Sequence, residues 1–284
     1  MKVGSAEHRD VLCRFFRDTH IDFEPEEIQW PELDDDELER IVNLPFWGEA
    51  VETETATSHT VQAAAGVEPD PEISEAIAVQ GFEEGRHARL LDSLTRFYSI
   101  PVPQPEPPSD GDVEGDFLFA GYGECFDSFF AFGLFELARR SGYFTPGLIE
   151  IFEPVMQEEA RHILFFVNWV AYRRARMSHW ERNRHRLRCL AIILRQVMSR
   201  INTARSLQDK EQTENFTMKG HQDFADSMSL KDFLQICLQE NNRRLSQYHP
   251  DLLRPRLVPG AARFLTRMLP GSRHSLEAGY SKGS

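Results

Sequence analysis

Apolar residues recur at three- and four-residue intervals along most of this chain, and the strict alternation of a half-buried strand is rare. The pattern predicts an all-α protein. A first long helix is expected from about 34 to 65, breaking if anywhere at Pro45 and ending at Gly66 before VEPDP. Pro71 opens a second helix that runs to about Tyr98. The next segment, PVPQPEPPSDGDVEGD from Pro101 to Asp116, carries five prolines, which exclude helix and predict an extended connection. A third helix is expected over about 117–140, then a tight SGYFTPG turn, then a fourth helix over about 146–177. Further helices are expected at roughly 180–206 and 229–246, whereas 250–284 is rich in proline and glycine and gives weak signals.

Chain lengths constrain how these helices are joined. Sixteen extended residues reach about 50 Å, and a helix the length of the second spans about 40 Å. The connection can therefore carry the chain back along a whole bundle, so that helices two and three run parallel. Two short turns flanking one long crossover is the connectivity of a ferritin-like four-helix bundle. The expected organisation is an N-terminal segment (1–33), the bundle (34–177), and a basic C-terminal helical extension (178–284) packed on it.

Composition fits a globular chain: 284 residues, 41% hydrophobic and 27% charged, which excludes disorder as the dominant state. Cys13, Cys125, Cys189 and Cys237 form no CxxC pair, so no disulfide scaffold, zinc ribbon or rubredoxin-type iron site can be built locally. The start, MKVGSAEHRD, lacks the apolar stretch of a signal peptide, and a reducing cytoplasm is the expected setting. The segment from Phe117 to Ala138 has the length of a bilayer span. Its Glu124, Asp127 and Glu136 would each cost about 2.5–3.5 kcal/mol in lipid, which favours a helix buried in protein over a membrane span.

Charge is divided unevenly. Residues 1–172 hold 11 Lys and Arg against 35 acids (net −24), and residues 173–284 hold 21 against 10 (net +11), giving the total of −13. Ten arginines fall within 173–208 against the single acid Glu181. Such a face either meets an anionic partner, for instance an acidic carrier protein, or packs against the acidic first half. With five lysines and no nucleic-acid signature, nucleic acid is not expected as the partner.

The chemistry is concentrated in one repeated pentad. Glu83-Glu84-Gly85-Arg86-His87 lies on the second helix and Glu158-Glu159-Ala160-Arg161-His162 on the fourth. A bare E-x-x-H is expected about once by chance in this composition, whereas the full E-E-x-R-H is expected roughly 0.01 times, and here it occurs twice. Residues i and i+3 share a helix face, so Glu84 with His87, and Glu159 with His162, each present a carboxylate and an imidazole to one point. Bundle dimetal sites add an inward Glu from each of the other two helices. Antiparallel neighbours place residues equidistant from their turn at equal height. Reflection of Glu159 through the turn near residue 143 falls close to Glu124. Reflection of Glu84 through the turn near 68 falls between Glu52 and Glu54. Glu54 shares a stripe with Trp47, Val51, Val61 and Ala65 and is the choice, with Glu52 and Glu49 as alternatives. Four carboxylates and two divalent cations make a neutral buried site. Mixed carboxylate and imidazole ligands suit iron or manganese better than structural zinc, and two irons are expected, with manganese or a mixed pair as the alternative.

Over residues 34–177 the twin pentads, EEGRHARLL above all, resemble the diiron-carboxylate branch of the ferritin-like superfamily, in particular the soluble acyl carrier protein desaturases and the hydroxylase subunits of bacterial multicomponent monooxygenases. The resemblance implies that Glu54, Glu84, His87, Glu124, Glu159 and His162 are metal ligands, with Glu84 and Glu159 bridging. It implies that Glu83 and Glu158 orient the ligand histidines through their other ring nitrogen, and that Arg86 and Arg161 hold those carboxylates. No acid or base beyond the ligands is assigned. Residues after 177 match nothing in that family.

The expected function is an oxygenase or oxidase that uses dioxygen to hydroxylate, desaturate or otherwise oxidise a largely apolar organic or carrier-bound substrate. Gly121, Phe126, Phe129 and Phe166 are the expected pocket, bulky walls beside a missing side chain. Cys125 reads as core, Tyr122 as a candidate redox tyrosine, and His59 as core or surface. Without a G-x-G-x-x-G fingerprint or a cysteine cluster, electrons must come from a ferredoxin or reductase. The alternatives are a ferroxidase or iron-handling protein, a dimanganese catalase, and a non-enzymatic helical interaction module.

Overall fold

A computed structural model describes residues 1–44, 46–103, 111–211 and 228–269, without the side chains of 201–211. Among the described residues there are nine α-helices, one 3-10 turn (Pro25–Glu27) and no strand. Helix α1 (Ala6–Asp18) is capped by the Ser5 hydroxyl accepting from the His8 N–H, and buries Leu12, Cys13, Phe15 and Phe16. It is an element within the segment the sequence leaves unassigned. At only thirteen residues it is a short pattern, and its apolar face is completed by α4 and α6, on which it packs.

The expected first helix is two. Helix α2 (Asp35–Val42) begins at an Asp34/Glu37 capping box and α3 (Trp47–Val67) follows; Pro45, where the break was expected, lies outside the described residues. Helix α4 (Pro71–Phe97) starts on an Asp70 cap with proline in its first turn, and α5 (Val113–Ser141) starts on Asp112 and stops at Gly142, whose φ of 63° closes the helix. Helices α6 (Pro146–Arg176), α7 (His179–Glu211), α8 (Leu230–Ser246) and α9 (Leu257–Met268) complete the order. Helix α9 lies where the sequence gives weak signals, because Pro259 and Gly260 inside it mask a periodic apolar face.

Helices α3 to α6 lie side by side, and their ends define the topology. At one end Trp47 of α3, Leu94 of α4 and Leu148 of α6 share a cluster. At the other, Ala65, Ile73, Phe117 and Trp169 join the main core, Phe117 stands edge-on to Trp169, and the Trp169 indole N–H donates to Glu68 in the α3–α4 turn at 3.2 Å. Thus α3 and α4 are antiparallel, α5 and α6 are antiparallel, and α4 and α5 run parallel. Helix α4 ends at one end of the bundle and α5 begins at the other, and residues 104–110 between them lie outside the described residues. Helices α7, α8 and α9 pack on α5, α8 also on α6. No helix among the described residues is long and apolar enough to cross a membrane.

Candidate metal centre

At mid-height of these four helices, six side chains converge. His87 Nδ1 lies 3.5 Å from Glu54, 3.8 Å from Glu84 and 3.4 Å from Glu159. His162 Nδ1 lies 2.9 Å from Glu84 and 3.9 Å from Glu159. Ligand atoms of Glu54, Glu84, His87 and Glu159 fall within 4.8 Å of one another, as do those of Glu84, Glu124 and His162. Glu84 belongs to both groups. Glu52, Glu49 and His59 are exposed, which leaves Glu54 as the acid that α3 turns inward.

The other members of the pentads pair crosswise between helices. Glu158 of α6 receives the back nitrogen of His87 at 2.9 Å and the guanidinium of Arg86, both from α4. Glu83 of α4 receives the back nitrogen of His162 at 2.8 Å and Arg161 at 2.6 Å, both from α6. Glu83, Arg86, Glu158 and Arg161 are fully buried. Each pentad therefore supplies a histidine and arginine to one half of the centre and a carboxylate to the other. This ties α4 to α6 and fixes both imidazoles with Nδ1 facing inward.

The donor set fits divalent cations. His87 and His162 are at most 1% exposed, and neither Nδ1 makes an aligned hydrogen bond, facing only carboxylate oxygens 2.9–3.9 Å away. Each points at carboxylates, not at a donor. Burial and the neighbouring Glu84 hold the Glu124 carboxyl well above its usual range. Burial, with Glu84 and Glu159 close by, pushes Glu54 up to about 8. Against burial, Glu84 is held below its usual range by His162 and His87. The imidazoles, which burial alone would neutralise, are raised instead, His87 by Glu158, Glu159 and Glu54 and His162 by Glu84 and Glu83.

These shifts predict a pH dependence. From the carboxyl's ordinary 4.5 up to about 8, the native Glu54 holds a proton that the unfolded chain has released, so folding loses stability as pH rises through that window. The raised histidines act in the same direction. Glu83 and Glu84, held low, act only below it. The melting temperature of chelator-treated protein is expected to fall steadily from about pH 5 to about pH 8. Bound divalent cations, which replace those protons, should flatten the slope.

Several neighbours carry no pentad signature. Gln80, one turn before Glu84 and 1% exposed, directs its amide N–H₂ to Glu84 at 3.5 Å and to both oxygens of Glu124 at 3.4 Å, leaving its Oε1 without a partner. The Ser128 hydroxyl, one turn after Glu124, donates to Glu159 at 3.0 Å. Helical spacing alone could have found both. His20, 2.5 Å from Glu83, and Thr19, which accepts from Arg161 at 2.9 Å, could not be found this way, since their approach depends on how α1 docks.

The expected pocket is only partly at the centre. Phe166 packs at right angles to Phe117 and Tyr122. A Cβ on Gly121 would come within 2.2 Å of the Phe166 ring, so this glycine admits an aromatic ring and does not open a channel. Phe129 and Phe126 face outward into a cluster with Leu234, Cys237 and Val258 of α8 and α9. The reason is phase: α5 is apolar nearly all round because it is covered on its outer side as well. Tyr122 is fixed against Phe166 with its hydroxyl pKa raised by burial, and Cys125 is likewise pushed up by burial. No protein-family model matches the chain, and no curated protein or solved structure was found to be similar to it.

Proposed function

We propose that the protein is a non-haem diiron oxygenase or oxidase on a ferritin-like bundle, using dioxygen to oxidise a largely apolar organic substrate. One observation carries this reading: two buried imidazoles, each backed by a carboxylate and an arginine, turn Nδ1 atoms that lack an aligned hydrogen bond toward four glutamates. Glu54, Glu84, His87 and Glu159 would hold one ion, and Glu84, Glu124 and His162 the other, with Glu159 near both. A ferrous pair bound there supplies the electrons that reduce dioxygen. The chain's own part is to keep that place dry and fixed. Glu83 and Glu158 hold the two imidazoles in one tautomer, Gln80 and Ser128 restrain Glu124 and Glu159, and Phe16, Phe165 and Phe166 exclude water on the α6 side. An external reductase or ferredoxin would renew the electrons, since Cys13, Cys125, Cys189 and Cys237 are distributed singly through the fold.

Anaerobic titration of metal-free protein with ferrous iron is expected to saturate at about two irons per chain, followed by uptake of dioxygen when air is admitted. Oxidation of many further irons per chain would favour a ferroxidase. Dioxygen release from peroxide by manganese-loaded protein, with no electron donor, would favour a catalase. Absence of stoichiometric metal in folded protein would leave the pentads as an ion-pair lattice in a helical interaction module.

A further inference from the structure

Two helices carry apolar stripes that no described residue covers. Helix α7 turns Cys189, Ile192 and Gln196 inward onto α5. On its opposite side Trp180, Leu187, Leu190, Leu194 and Met198 stand 53–78% exposed. Steps of seven, three, four and four residues place these five on one stripe. Helix α9 buries Val258 and Ala262 against α8 and exposes Leu257, Phe264, Leu265 and Met268. More than half of the exposed large hydrophobic residues described in the molecule lie on these two helices, and a concentration of that kind marks an interaction surface. Both helices reach Phe126 of α5: Arg200 of α7 lies over its ring, and the ring packs against the cluster that holds Val258 and Ala262 of α9.

Charge narrows the partner. No acid occurs from 182 to 200 or from 252 to 269. Arg173, Arg188 and Arg200 are engaged by Asp112, Glu114 and Asp127, so part of the basic segment does pack on the acidic first half. Arg184 and Arg186 beside the α7 stripe are exposed, as are Arg263 and Arg267 beside the α9 stripe. A second copy would set these arginines against one another. A single acidic helix would cover one stripe and leave the other in water. A flat anionic surface takes up an apolar stripe together with the arginines on its flanks, with the guanidinium groups at headgroup level and the apolar side chains beneath.

We propose that α7 and α9 dock this protein on the surface of an anionic lipid bilayer, without spanning it. The proposal is independent of the metal centre. It is tested by flotation of the full chain with vesicles of phosphatidylglycerol and phosphatidylcholine, against vesicles of phosphatidylcholine alone. Binding is expected only to the anionic vesicles, weakening at least tenfold between about 0.1 and 0.5 M salt. A blue shift of tryptophan emission should accompany it, since Trp180 is far more exposed than Trp47 or Trp169. Leu187→Glu/Leu194→Glu and, separately, Arg184→Gln/Arg186→Gln should each lower partitioning at least tenfold with unchanged helical circular dichroism. The arginine variant keeps the test decisive if the leucine variant misfolds. Failure to bind either vesicle, equal binding to both, or unaltered binding by the folded arginine variant overturns the proposal. So does a dimer that the leucine variant dissociates, which assigns the face to a second copy. Retention on immobilised polyglutamate without vesicle binding overturns it as well, in favour of an acidic protein.

Discussion

Glu84→Ala is expected to abolish the binding of both metal ions, whereas Glu54→Ala and Glu124→Ala should each abolish one. Glu84 is the one carboxylate found in both groups of converging atoms, 2.9 Å from His162 Nδ1 and 3.8 Å from His87 Nδ1. Glu54 approaches only the His87 side, at 3.5 Å. Glu124 meets Glu84 and His162 on the other. Iron per chain, measured by mass spectrometry after desalting, should therefore drop from about two to none in the first variant and to about one in each of the others. Glu136→Ala is the control. Glu136 is also buried, at 4% exposed, and lies on a bundle helix, but its carboxylate is taken up by Arg139 at 2.7 Å and Arg140 at 2.5 Å. Its loss should leave iron unchanged. Equal iron in wild type and Glu84→Ala would remove the dimetal centre and the proposed activity with it.

Local and periodic features of this chain were legible in its sequence. The proline-rich connection, the short turns and the long apolar faces led to four bundle helices whose observed directions agree with the expected crossover. Reflection through the turns worked because antiparallel helices share a ruler, and it reached Glu54 and Glu124, which the structure brings to the pentads. The crosswise pairing was not legible. Glu83 and His87 sit on one helix, and nothing in their spacing shows that Glu83 serves His162 while His87 is served by Glu158. That follows from the distance and rotation between α4 and α6, which are tertiary quantities. The misplaced pocket has the same origin. Phe126 and Phe129 look inward if α5 is an outer helix of a bare bundle, but α8 and α9 cover α5 from outside and draw them there.

The crosswise pairing also makes Arg161 the residue whose loss should most harm the fold. Its fully buried guanidinium donates to Glu83 at 2.6 Å, to the Phe16 carbonyl at 2.5 Å and to Thr19 at 2.9 Å, and lies over the Phe16 ring. One side chain thus joins α6 to α4 and to the end of α1. Removing it leaves the Glu83 carboxylate buried with only His162 and His20 to face it. Breaking one partner of a buried pair costs about 3–5 kcal/mol. Arg161→Met is expected to destabilise the metal-free protein by that amount in a denaturant titration. Glu83→Gln/Arg161→Met should recover part of the loss, because the orphaned charge goes with the arginine. Arg96→Ala, which removes an exposed pair with Asp92, should cost at most about 1 kcal/mol. Iron affinity should fall about 10- to 100-fold in Arg161→Met, since a displaced Glu83 no longer orients His162. A stability within about 1 kcal/mol of wild type would mean that the interior near Glu83 is wet enough to solvate a lone carboxylate, a condition in which the imidazole Nδ1 atoms would not need a cation either.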